Sequence, residues 1–444
     1  MKNLTLSLSL ILGTLLFGQC TQAQQLPRRV FLGGRMQNVT TAQQKELKLP
    51  STQGVYLVDV AAGASLAKAQ IKAGDVLTAF DQTPVRNLRQ FRTVFTKYTP
   101  GDKVKVTYYR QGKKRQTRMT FQASPRMTSK KHEVIYSSVR AYNNQLRTII
   151  TKPKGKGKYP AVLIVQGLGC ITIDHPANRF SQAITDSLTG KGMVVMQIEK
   201  TGMGDSKGTP CRECSFDEEV EGYRQGIKAL KKLEYVDADQ IFMFGFSMGG
   251  VIAPVIASKM PVKGIIAYGT VGGRSWLEYE IENSRRQAEM ANTPYDEIST
   301  MMRAKEKALH YLMVEKQTVK DIIAKHPETA PHLRYPQHAE KYLQAVGNLE
   351  LAKLWMETDA HVLVVHGKAD FVSFAKDHDL IAKVVNSKRA GKATYMELPN
   401  SDHWLNSVKT MQESLQNLRN RRIPKNYRLL SIASDWILEK VKAS

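Results

Sequence analysis

Gly245, Phe246, Ser247, Met248 and Gly249 set a hydroxyl between two glycines, directly after the apolar run Ile241–Phe244. A serine on a tight strand-to-helix turn sits at strained backbone angles, and a Cβ at either flanking glycine would collide with the adjoining chain. Val251–Lys259 reads as an apolar helix whose positive N-terminal end lies under the turn. The five-residue pattern alone also fits a structural serine; the strand in front of it selects the nucleophile reading for Ser247. A neutral hydroxyl is a poor nucleophile, so the chemistry requires a base to take its proton and an acid to orient that base.

The elements that must position these groups are spread over residues 132–444. Glu133–Val139 and Gln145–Thr151 read as two strands joined through Tyr142, Asn143 and Asn144 in a hairpin. Strands and helices then alternate. Ala161–Val165, Met193–Ile198, Ile241–Phe244, Val262–Tyr268, Val362–His366 and Ala393–Leu398 are strand-like; Asn178–Thr189 and Phe216–Leu233 are helical. This is a doubly wound α/β pattern with a mostly parallel sheet. About ninety residues rich in helix formers separate Tyr268 from Val362, more than one crossover needs. They predict a helical cap over about 271–360.

The arrangement resembles the α/β-hydrolase fold across nearly all of residues 132–444. In that family the triad follows the chain order Ser, Asp, His, with the acid after a later strand and the histidine after the last one. The resemblance assigns the acid to Asp370, after Val362–Val365, and the base to His403, after Thr394–Leu398. Of ten histidines, His310, His326, His332 and His338 fall in the cap, and His132 and His175 precede the nucleophile strand. His366 reads as a core residue at a strand end, and His378 as a solvated side chain on a helix. Asp377, Asp379 and Asp402 compete with Asp370 but do not sit at the strand-end turn. The resemblance also implies an oxyanion hole from the backbone N–H groups of Met248 and of Leu168, in the loop Gln166-Gly167-Leu168-Gly169. Gln166 stands where the family commonly has His. Glu199–Ser206 resembles the family's Asp-x-Arg-Gly-x-Gly-x-Ser loop and reads as tight-turn architecture.

Residues 28–123 form a different unit. Short alternating stretches at Gly54–Val60, Val76–Phe80, Lys103–Tyr109 and Thr117–Phe121 predict a small β-rich module. Phe31, Leu32, Gly33 and Gly34, then Gly63–Ala67, Ile71–Leu77 and Pro100-Gly101-Asp102, make it resemble a PDZ domain of the kind attached to envelope proteases. That resemblance implies capture of a peptide C-terminus by the Phe31–Gly34 loop, with the peptide adding as a strand. A docking domain that binds no free peptide is the alternative. Pro125–Lys131, polar and basic, reads as part of a linker over 124–131.

The whole chain sets the compartment. Lys2 followed by the apolar stretch Leu4–Phe17 and small residues up to Ala23 predicts a cleaved signal peptide over 1–23, and hence an exported protein, periplasmic or extracellular. Cys20 raises a lipoprotein alternative, which Gln19 disfavours. No later stretch reaches the roughly twenty apolar residues of a membrane helix, so the mature chain is expected to lack a transmembrane segment. The formal charge is +25. Between 24 and 131, 21 Lys and Arg stand against 5 Asp and Glu, giving +16. This face could draw acidic peptides or anionic lipid; no nucleic-acid motif accompanies it, and no nucleic-acid partner is expected.

Cys170, Cys211 and Cys214 remain after the leader. With no second pair, a zinc site or redox motif is not expected, and no metal or cofactor is implied. Cys170 follows the oxyanion loop and Cys211 the glycine loop after the neighbouring strand, which favours a Cys170–Cys211 disulfide; Cys211–Cys214 stays open. The functional expectation is an exported serine hydrolase cleaving carboxylic esters, its PDZ-like domain recruiting substrate or partner. A serine peptidase of aminopeptidase type and a PDZ scaffold with a vestigial hydrolase domain are the alternatives.

Overall fold

The computed structural model describes residues 26–175, 178–333, 340–418, 420 and 423–443. The expected leader, with Cys20, and His338 lie outside the described residues.

Two sheets organise the chain. The first contains β1 (Gly34–Asn38), β2 (Val55–Val60), β3 (Val76–Phe80), β4 (Thr83–Pro84), β5 (Lys103–Arg110) and β6 (Lys113–Thr120), in the order β1-β2-β3-β5-β6, with β4 paired to β3. Leu57, Leu77, Phe80, Val104, Val106 and Phe121 fill its core. Three strands differ from the expectation, one of them the two-residue β4, which was absent from it. β1 was not foreseen, because Gly-Arg-Met-Gln-Asn carries neither alternation nor β-branched residues; pairing with β2 imposes it. β6 starts at Lys113, four residues early, since an edge strand exposed on one face tolerates the Lys-Lys-Arg-Gln run.

The second sheet holds β7 (His132–Ala141), β8 (Asn144–Pro153), β9 (Tyr159–Val165), β10 (Val194–Ile198), β11 (Val236–Phe246), β12 (Gly264–Tyr268), β13 (His361–Gly367) and β14 (Ala393–Leu398). Its order is β14-β13-β12-β11-β9-β10-β8-β7, with the first six parallel and the hairpin β7/β8 antiparallel. The continuous apolar runs have a simple cause: both faces are covered. Along β11, Ile241 and Met243 enter one core while Phe242 and Phe244 enter the other; β12 and β13 divide their side chains in the same way. Helices Phe216–Leu230, Met248–Ala257 and Ala375–Lys388 cover the first face, and Arg179–Gly190 with Arg428–Lys442 the second. Each fully buried Val, Leu, Ile or Phe contributes roughly 1.5–3 kcal/mol, so the strands with two covered faces anchor the unit.

Between β12 and β13 run helices Trp276–Met290, Tyr295–Leu309, Val319–Lys325, Glu340–Gly347 and Leu351–Glu357. They pack through Trp276, Tyr279, Tyr342 and Trp355 on the first core. Tyr342 donates to buried Glu219 at 2.9 Å, and Arg286 donates to the carbonyls of Phe371 and Ser373 at 2.6 and 2.8 Å.

His378 corrects the solvated reading. The helix Ala375–Lys388 turns this side chain inward, where it is fully buried and meets the His366 ring at 4.9 Å. Its Nδ1–H donates to the Phe374 carbonyl (2.8 Å) and its Nε2 accepts from the Thr270 N–H (3.0 Å), which defines a neutral tautomer. Burial, then the neighbouring His366, push its pKa down to about 3, against the field of Asp370. Between pH 6.5 and about 3 the unfolded chain therefore binds a proton here that the native state refuses, and stability falls as pH falls. Glu199 and Asp377, whose carboxyls burial pushes up to about 7 and about 6, act oppositely, their contribution being lost as pH rises. Comparing wild type with His378→Gln cancels those shared terms. Urea unfolding from pH 6.5 to 4.5 should destabilise wild type by on the order of 2 kcal/mol more than the variant; parallel curves would contradict the buried neutral histidine.

Candidate active site

Ser247 closes β11 and opens the helix Met248–Ala257, three residues earlier than the apolar run predicted. Its backbone lies at φ 52° and ψ −119°, a left-handed value that a non-glycine residue holds only when its surroundings enforce it. The Ser247 N–H donates to the Tyr268 carbonyl (2.9 Å) and the Gly250 N–H returns to the Ser247 carbonyl (2.9 Å). The flanking glycines are steric requirements. A Cβ on Gly249 would lie 2.0 Å from the Val165 carbonyl oxygen, and one on Gly245 2.6 Å from the Gly249 oxygen.

Asp370 follows β13 and is completely buried. Its Oδ1 accepts the N–H groups of Val372 (2.7 Å) and Ser373 (2.9 Å), and its Oδ2 accepts the Ser373 hydroxyl (2.6 Å). Burial is the largest influence and raises its pKa; the His403 charge with the bonds from His403 and Ser373 outweighs it, leaving the carboxyl well below the usual range. His403 follows β14. Its Nδ1 lies 2.9 Å from Asp370 Oδ2 and its Nε2 3.1 Å from Ser247 Oγ. The three residues singled out in the sequence therefore meet in one hydrogen-bonded line.

Asp402, weighed as a competing acid, has a different place. It accepts from the N–H groups of Trp404 (3.0 Å) and Asn406 (2.7 Å), the Asn406 amide and the Ser414 hydroxyl, and so shapes the loop that carries His403. Tyr268 fastens the same loop to β12 through the Asp402 carbonyl (2.6 Å). Asp377 pairs with Arg274, and Asp379 with Lys383.

The loop after β9 lies against Ser247: a Cβ on Gly167 would sit 3.2 Å from Ser247 Cβ. Gln166, in the place of the family's His, is held by its N–H to Tyr223 Oη (3.1 Å) and by Nε2 to the Ile198 carbonyl (2.5 Å). Lys200 Nζ reaches the Gly167 carbonyl at 2.8 Å while paired with buried Glu219 at 2.7 Å. Met248 is buried under the turn and Leu168 is partly exposed at its mouth. A Cys170–Cys211 disulfide ties this loop to the glycine loop; Cys214 is free and buried, its thiol pushed up to about 12 by burial and the nearby Glu219 and Glu218 charges.

Sequence reasoning missed the polar interior of that glycine loop. Glu199 and Asp205 are buried partners of Arg147, with Asp174 beside them. An arginine between Leu146 and the apolar pair Ile149 and Ile150, on a strand whose residues are nearly all buried, is the signal that marks it. Next to Ser247 opens a cavity of about 240 Å³, walled by Leu168, Ile171, Phe180, Phe246, Trp404 and Leu405, with Lys425 on its lining. Among the described residues its lining contains no carboxylate and no residue of the helical insertion. No His, Cys, Asp or Glu cluster with the makings of a metal site occurs among the described residues, and none of their helices is long and apolar enough to cross a membrane.

In the first sheet, Gly33 has φ 74° and a Cβ there would lie 2.0 Å from that of Ala64. The Phe31 and Gly33 carbonyls are taken by Ser65 and Ala61. Leu32 is buried, and β1, which follows Gly33 directly, is an edge strand of the sheet.

Residues 30–120 match the family model described as PDZ domain, and residues 160–401 the one described as Serine aminopeptidase, S33. Esterase EstD of Thermotoga maritima is 30% identical over 125 residues, 28% of this chain and 30% of that one. The serine protease Do-like HtrA of Lactococcus lactis subsp. cremoris is 41% identical over 90 residues, 19% of this chain and 22% of that one. The chain thus spans less than a third of either relative. A solved structure of Est1E from Butyrivibrio proteoclasticus with ferulic acid bound aligns with TM-score 0.45 at 15% identity, covering 69% of this chain and 99% of that one. Proline iminopeptidase from Mycobacterium smegmatis aligns with TM-score 0.44 at 14% identity, covering 70% and 100%. With 160–401 amounting to more than half of 444 residues, the chain belongs to the serine aminopeptidase S33 family of α/β-hydrolases, preceded by a PDZ domain.

Proposed function

We propose that this chain is an exported serine hydrolase that cleaves carboxylic esters through an acyl-enzyme on Ser247. The observation that carries the reading is the line of hydrogen bonds from Asp370 through His403 to Ser247. His403 Nε2 takes the Ser247 proton as Oγ attacks the ester carbonyl, and Asp370 holds the imidazole by Nδ1 and stabilises its charged form. The N–H groups of Met248 and Leu168 receive the developing oxyanion. His403 then protonates the leaving alcohol, and water repeats the sequence to release the acid. Esters are favoured over aminopeptidase substrates by the neighbouring cavity. Its lining is largely apolar and carries a lysine but, among the described residues, no carboxylate to pair with a substrate's terminal ammonium. The likeness to an esterase over 125 residues supports the same choice.

Export is supported by the leader-like N-terminus and by the Cys170–Cys211 disulfide, which fits an oxidising compartment. For the PDZ domain we propose capture of a peptide C-terminus, its carboxylate at the Phe31–Gly34 loop and its backbone along β1. The edge position of β1 and the close-packed Gly33 support that reading.

Ser247→Ala should abolish turnover of a p-nitrophenyl ester, and Asp370→Asn should lower kcat by roughly 10³–10⁴-fold with little change in KM. Wild-type turnover that survives Ser247→Ala would remove the assignment. On a panel of acyl esters and aminoacyl amides of matched size, the esters should be the faster substrates; preference for amides bearing a free N-terminus would transfer the reading to peptidase. In titrations of the full chain, hydrophobic C-terminal peptides should bind as free acids and lose at least tenfold in affinity as amides. Equal binding of both forms would exclude the carboxylate loop.

A further inference from the structure

The segment in front of the first sheet does not stay with that sheet. Arg28 enters the second unit, where its guanidinium donates to Asp174 Oδ2 (2.9 Å), to Asp205 Oδ2 and to the carbonyls of Ser124 (3.0 Å) and Pro125 (2.6 Å). It lies over the Tyr136 ring at 5.3 Å, and its side chain is only 10% exposed. Arg29 follows with its N–H on Asp205 Oδ1 (2.8 Å) and its guanidinium on the carbonyls of Gly202 and Ser206 (2.9 Å each).

The group it joins is short of positive charge. Asp174, Asp205 and Glu199 have side chains 2%, 2% and 0% exposed, and among the described residues of the second unit it is Arg147 that faces all three. Arg147 donates to Asp174 (3.0 Å), Asp205 (2.8 Å) and Glu199. Three buried carboxyl groups share one guanidinium; even with the Glu199 carboxyl pushed up to about 7 by burial, Asp174 and Asp205 outnumber it, and a buried charge that loses its partner is strongly destabilising. Arg28 supplies the second guanidinium.

These carboxylates hold the loops around the nucleophile. Asp174 ends the stretch that begins at the oxyanion loop, Gly167–Cys170, and the Ile173 N–H is bound by Glu199 Oε1 at 3.0 Å. Glu199 is followed by Lys200, whose ammonium fixes the Gly167 carbonyl beside Leu168. Gly204 packs so closely on this cluster that a Cβ would meet Glu199 Oε2 at 2.5 Å.

We propose that Arg28 is a positioning residue for the hydrolase: the ion cluster that sets the oxyanion loop is completed from outside the α/β unit, by the segment that leads into the PDZ domain. The inference rests on the assignment of Leu168 as an oxyanion donor. It implies that PDZ and hydrolase units act as one catalytic body rather than as beads on a linker. Met127, in the expected linker, is accordingly packed with Tyr136, Ile149 and Ile173.

The test compares full-length wild type, Arg28→Met, Arg28→Lys and Lys191→Met, the last breaking an exposed pair with Asp435. Turnover of a p-nitrophenyl ester is expressed per serine titrated by a fluorophosphonate, so that unfolded protein does not count. Arg28→Met should lower kcat roughly ten- to a hundredfold with KM within about threefold, the size expected when a reacting group is displaced by about an ångström. Arg28→Lys, which keeps the charge without the fork, should fall in between, and Lys191→Met should match wild type. A kcat per titrated serine within about twofold of wild type in Arg28→Met, even with a lowered Tm, overturns the proposal and leaves Arg28 a stability residue. If Arg28→Met does not fold, Arg28→Lys decides alone, and an unchanged kcat there overturns it. Loss of turnover in Ser247→Ala beside unaltered Arg28 variants sinks this inference only; turnover that survives Ser247→Ala sinks the site reading as well.

Discussion

The left-handed backbone of Ser247 is the constraint on which the rest depends. Holding a serine at φ 52° costs of order 1–3 kcal/mol, and the chain sustains it by closing β11 between β9 and β12 with no room for relaxation. Gly249 lets the helix start come within contact of the Val165 carbonyl, and Gly245 lets the turn fold over Gly249. The same closeness brings the loop after β9 beside Ser247. A strand that could slide by one residue would release the turn, but the side chains of β9, β11, β12 and β13 are buried on both faces, and a slip would reverse every one of them.

Around that fixed point the loops are tied by polar contacts. His403 is held by Asp370, whose carboxylate oxygens also accept from Ser373 and Val372; the loop that carries His403 is organised by Asp402 and pinned by Tyr268. On the opposite side, Lys200, Gln166 and the disulfide set the loop after β9, and the Arg147 cluster sets the loop behind it. Buried ionic groups of this kind contribute little net stability but define a geometry, because each wrong arrangement strands a charge. Their concentration at one end of the sheet, where parallel strands place their carboxyl ends, is the expected location of a site in an open α/β fold.

Strands buried on two faces were the most legible part of the sequence. Ile241–Phe244 and Val362–Val365 are apolar without interruption, and the glycines around Ser247 have a steric reason that can be stated without coordinates. Asp370 and His403 were legible because chain order carries information in this fold, and the Cys170–Cys211 pair because two loops follow neighbouring strands. What could not be read depends on distant partners. β1 has no pattern of its own and exists because β2 pairs with it. His378 looks solvated in a helix of mixed polarity, and only the packing of that helix against Thr270 and His366 buries it. Arg28 stands at the start of the expected PDZ-like unit, 28–123, and its partners in the other unit are 146 and 177 residues away.

The central claim is that the Ser247 oxygen forms a covalent acyl intermediate. Mixing the full-length protein with an excess of a slowly deacylating aryl ester, quenching in acid and mapping the added mass by peptide mass spectrometry reads that bond directly. The account predicts one acyl group per chain, on the peptide that contains Ser247, and none on that peptide in His403→Ala over the same interval. Turnover with no adduct on Ser247, or an adduct on another residue that turns over at the catalytic rate, would contradict it.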